Sequence, residues 1–121
     1  AAGARTIIDD SQYPELAQSV LVFRTEALES SPEAVRRFLR AWDRAAAEIN
    51  ANPDNYRDLL IQVGRVPESI QGSYDMPPFP TGSITSAAEM ADVVQWALDK
   101  GKVEVDIPYE NLVDPGFMPG N

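Results

Sequence analysis

The sequence predicts an α/β fold with few strands and a helix-rich body, and three observations carry that expectation. Ser19 to Arg24 (SVLVFR) is a continuous apolar run of β-branched and aromatic residues, too short for a helix and suited to a buried strand. Ala4 to Ile8 is a second β-leaning run, closed by the breakers Asp9, Asp10 and Ser11, whose side chains compete for backbone hydrogen bonds. From Ser31 onward, helix-start signals, apolar stripes at a period near 3.6 and stop signals recur along the chain.

The first helix is the clearest. Ser31 is a suitable N-cap, followed by Pro32 at the first helical position and Glu33 in the first turn. Val35, Phe38, Leu39, Trp42, Ala45, Ala46 and Ile49 form one stripe, which makes Phe38 and Trp42 core residues rather than a stacking platform. Glu33–Arg37 and Arg44–Glu48 are spaced for i,i+4 pairing, and the helix should stop near Asn50. Asn52-Pro53 repeats the start signal, so a second helix runs from about Pro53 to Val63 with Tyr56, Leu59, Leu60 and Val63 inward and Gly64 as C-cap.

Val66-Pro67-Glu68 begins a single turn, and Tyr74 to Ser83, with three prolines and a glycine, must be extended or looped. Ser86 and Glu89 form a capping box that opens a third helix. Met90, Val93, Val94, Ala97 and Leu98 make its face, and Gly101 ends it after Lys100. Trp96 falls off that face and marks either a contact with a partner or another lobe, or a second shallow apolar face. Lys102 to Asn121 is mostly irregular but carries apolar anchors.

Composition excludes several chemistries. The 121 residues suit one ordinary domain, and 44% are apolar, enough for a packed core. There is no His and no Cys, which removes disulfides, thiolate nucleophiles, zinc fingers and His-based triads. Net charge is −9, and residues 66–121 hold nine acids against Lys100 and Lys102 alone. Nucleic-acid binding by phosphate neutralisation needs a basic stripe, and the only near-candidate, Arg36, Arg37, Arg40 and Arg44, is interrupted by acids. Glu104, Asp106, Glu110 and Asp114 lack the alternation and central glycine of a calcium loop, and no Gly-rich phosphate loop occurs. AAGARTIIDD is not a signal peptide, so an exported protein would carry its targeting segment elsewhere.

SVLVFR is apolar on both faces, like a strand with neighbours on each side, and the chain does not supply those neighbours. The stretch from SVLVFR through SSPEAVRRFLRAWDRAAAEIN to NPDNYRDLL resembles the C-terminal region of periplasmic solute-binding proteins of ABC importers. The likeness is to the NMT1/THI5-like (SsuA/TauA, nitrate, sulfonate, taurine and thiamine-precursor) group. It continues through VPESIQGSYDMPPFP, DKG at Asp99 to Gly101 and YENLVDP at Tyr109 to Pro115, and so covers nearly the whole chain.

The resemblance implies a helix-rich C-terminal segment of a periplasmic-binding-protein-like (type II) two-lobe fold. Residues 1–18 would end the second lobe and return through the hinge, and residues 19–121 would complete the first lobe with a crossing strand, covering helices and a tail. A small-molecule ligand would lie between the lobes, and hinge closure would present it to an ABC permease in the periplasm or another extracytoplasmic space. The expected partners are that ligand, the permease, and the remaining N-terminal part of the protein or a second copy, with no nucleic acid, cofactor, metal or catalytic residue. Asp9, Asp10, Ser11 and Tyr13 are the candidate ligand-binding residues, because carboxylates and hydroxyls at a strand end near a cleft can hold a polar ligand. A solvated strand-ending turn is the competing reading for the first three, and a loop cap for Tyr13. Arg24 could meet an anion bidentately or serve in a structural ion pair. The rival functions are a THI5-like pyrimidine-synthase type of enzyme and a stand-alone acidic helical interaction module.

Overall fold

The computed structural model describes Ile7 and residues 19–119. Among them the chain forms helices and no strand: α1 (Thr25–Ser30), α2 (Pro32–Ala51), α3 (Pro53–Val63), α4 (Glu68–Gln71) and α5 (Ala87–Asp99), then 3₁₀ turns at Tyr109–Asn111 and Pro115–Phe117. This overturns the α/β expectation. SVLVFR is irregular backbone leading into α1, with Val20, Leu21 and Val22 exposed and Phe23 half-buried. The physical reason is that strand propensity is realised only against a hydrogen-bonding neighbour, and the described chain offers this hexapeptide none. The Ala4–Ile8 run lies outside the described residues except for Ile7, which is exposed.

The helices follow their local signals closely. Capping at Ser86 is reciprocal: Glu89 N–H donates to Ser86 Oγ at 3.2 Å, and Ser86 N–H donates to Glu89 Oε2 at 2.8 Å. Such a cap contributes about 1 kcal/mol. Ser31 differs from the expectation, because it makes no side-chain cap bond. It is shared between two helices: its N–H closes α1 on Ala27 O while its carbonyl accepts from Ala34 and Val35. Its φ −143°, ψ 47° lies outside the extended region usual for an N-cap. Asn52 is shared in the same way between α2 and α3, with its N–H on Glu48 O.

Helix α3 ends in a Schellman motif, with Arg65 N–H on Gln62 O and Val66 N–H on Ile61 O. Gly64 is the C-cap in right-handed conformation, and the left-handed position falls on Arg65 at φ 51°. Gly64 is required for a different reason: a Cβ there would lie 2.9 Å from Leu60 O. Helix α5 uses the same motif with the expected glycine, Gly101 at φ 62°. Arg65→Gly should therefore raise stability by up to about 1 kcal/mol, since a Cβ is disfavoured in the left-handed region. Gly64→Ala should lower it by a similar amount or more. Thermal melts of the two variants check this, and equal shifts of one sign would contradict it.

α2 is the spine. It packs against α1, α3 and the second 3₁₀ turn, while α5 packs against the first turn. The loop between α4 and α5 is clasped to α2 at two points. At the first, Asn50 Nδ2 donates to Phe79 O (2.7 Å) and Oδ1 accepts from Phe79 N–H (2.9 Å). At the second, nearer the start of α2 on the same flank, Gly82 N–H donates to Asp43 Oδ1 at 2.5 Å. Near the chain's end, Phe117 lies under the Arg36 guanidinium, 4.8 Å from carbon to ring centre. Arg57 ties α3 to α4 through Gln71 O (2.6 Å), and Tyr109 Oη donates to Thr85 O (2.8 Å).

These ties cover little of the apolar surface. The buried apolar residues among those described are Val35, Ala46 and Val94. The expectation that Phe38 and Trp42 are core is therefore corrected, for they are 46% and 52% exposed. Leu59 and Val63 of α3 and Val93 of α5, expected to face inward, are exposed as well. The i,i+4 ion pairs also rearrange. Glu33 takes Arg36 at 3.0 Å, and Glu48 accepts from Asn52 Nδ2 at 2.9 Å and Tyr56 Oη at 3.5 Å.

Candidate functional site

Residues along α2 can be placed around its axis at about 100° per position. Going round in one sense from Phe38 and Trp42, the buried Val35 and Ala46 come next. The clasp residues Asn50 and Asp43 follow them, and Arg36 comes after. The loop and the chain's end therefore cover one edge of the apolar stripe. The other edge, Ala45, Phe38 and Trp42 within about 60° of arc, is left open. Ala41, Arg37, Arg44 and Arg40 continue round the open side.

The open edge is organised by ring contacts. Phe23, carried by the segment before α1, meets Phe38 edge-on with ring centres 5.7 Å apart at 76°. Phe38 stacks on Trp42 at 6.2 Å and 29°. Pairs of this kind add about 0.5–1.5 kcal/mol beyond area burial and hold the rings in fixed orientation. Exposed Val20, Leu21 and Val22 precede Phe23, the first ring of this ladder, in the chain, and exposed apolar groups of this kind mark an interaction surface when they are contiguous. Arg37, Arg40 and Arg44, about 100–160° round the helix from the two α2 rings, are exposed and form no ion pair among the described residues. Glu33 and Glu48, the acids spaced to pair with Arg37 and Arg44, are engaged elsewhere.

Two shallow depressions border α2. One is floored by alanines 41, 45, 47 and 51 with Arg44 and Glu48, and the other by Ile49, Asn50, Pro53, Met76, Pro77 and Pro78. Both are open to solvent and neither buries a polar side chain, so they lack the enclosure of a small-molecule site. The predicted ligand residues Asp9, Asp10, Ser11 and Tyr13 lie outside the described residues. Arg24 is exposed at the start of α1, and Trp96 is 56% exposed on α5. Sequence reasoning missed Phe23 as a ladder member and the Arg36–Phe117 contact. Both join residues distant in sequence, for which helical spacing carries no signal.

The described residues thus form an open helical scaffold with an aromatic edge on α2 and arginines further round the same helix. Residues 6–56 match the family model described as NMT1/THI5 like. The matched span contains Phe23, Phe38 and Trp42, stops at Tyr56, and supports a solute-binding or THI5-like relative. No curated protein and no solved structure matches the chain.

Proposed function

We propose that the chain acts as part of the extracytoplasmic solute-binding component of an ABC importer, holding a small molecule and delivering it to the permease. The NMT1/THI5-like match over residues 6–56 carries the reading. The chain has neither His nor Cys, so capture without covalent chemistry is favoured over a THI5-like enzymatic role. Asp9, Asp10, Ser11 and Tyr13 are the proposed ligand contacts, with hydroxyl and carboxylate groups suited to a polar solute.

The test is a thermal-shift series on the intact protein with nitrate, taurine, an alkanesulfonate and an aminopyrimidine as separate probes. A ligand at about 100 times its dissociation constant should stabilise by about 2.7 kcal/mol, raising the melting temperature in a dose-dependent way. Asp10→Ala with Ser11→Ala should abolish that rise without lowering the ligand-free melting temperature. No dose-dependent shift from any probe, or chemical conversion of the probe that shifts, overturns the proposal.

A further inference from the structure

We draw no further inference here: the strongest candidate, the apolar edge of α2 formed by Phe38 and Trp42 with Phe23 set edge-on against it, carries nothing because nothing in the structure shows what covers it.

Discussion

Replacing Ala46 by glutamate is expected to cost about 3 kcal/mol of stability or more, while the same change at the adjacent Ala45 costs less than about 0.5 kcal/mol. The two alanines are chemically identical and lie in the same helix, yet Ala46 is 5% exposed and Ala45 is open. Ala46 falls on the flank of α2 where Asp43 and Asn50 clasp the loop through Gly82 and Phe79. A larger side chain there must displace packed neighbours or drive a carboxylate into a buried position. Ala46→Leu isolates the steric part and should cost about 1–3 kcal/mol. For a domain of this size the glutamate variant should melt more than ~10 °C below the wild type, and the Ala45 control should be indistinguishable from it. Equal tolerance at both positions would mean that the loop is not seated on α2.

This contrast also shows how far the sequence can be read. Helix existence is legible because its causes are local. The Ser86–Glu89 box, the prolines at the starts of α2 and α3 and Gly101 after α5 each act within a few residues of the boundary they set. The apolar stripe of α2 is legible too, but its fate is not. Periodicity states which residues seek cover and says nothing about how much of it the chain provides. Here Val35 and Ala46 are covered while Phe38 and Trp42 are left about half exposed. SVLVFR misleads for the complementary reason, since a strand is a relation between segments and no partner segment is present among the described residues. The clasp at Asn50 and the Arg36–Phe117 contact bridge long stretches of chain, and no short-range pattern announces them.

The second large effect is expected at Asn50. Its carboxamide meets the backbone of Phe79 as another peptide would, donating to the carbonyl and accepting from the N–H. Asn50→Ala removes both bonds and should cost about 1–2 kcal/mol, at the modest end because the pair is exposed and water replaces the lost partner. Asn50→Asp is the sharper probe. It keeps size and the acceptor for Phe79 N–H, but sets an oxygen against Phe79 O where a donor stood. It should therefore cost at least as much as the alanine variant at neutral pH. Asn55→Asp, on the exposed surface of α3, serves as the control and should change stability by less than ~0.5 kcal/mol. Hydrogen exchange gives the local readout, because the Phe79 and Gly82 amides should lose protection together if the loop lifts as a unit. The loop that Asn50 holds lies on the same flank of α2 as Ala46, and coupling between the two sites is expected. Once Asn50→Ala has freed the loop, Ala46→Leu should cost less than it does alone, by about 0.5 kcal/mol or more in a double-mutant cycle. Strict additivity would separate the clasp from the buried alanine and make the loop's seat on α2 a surface contact without a packing role.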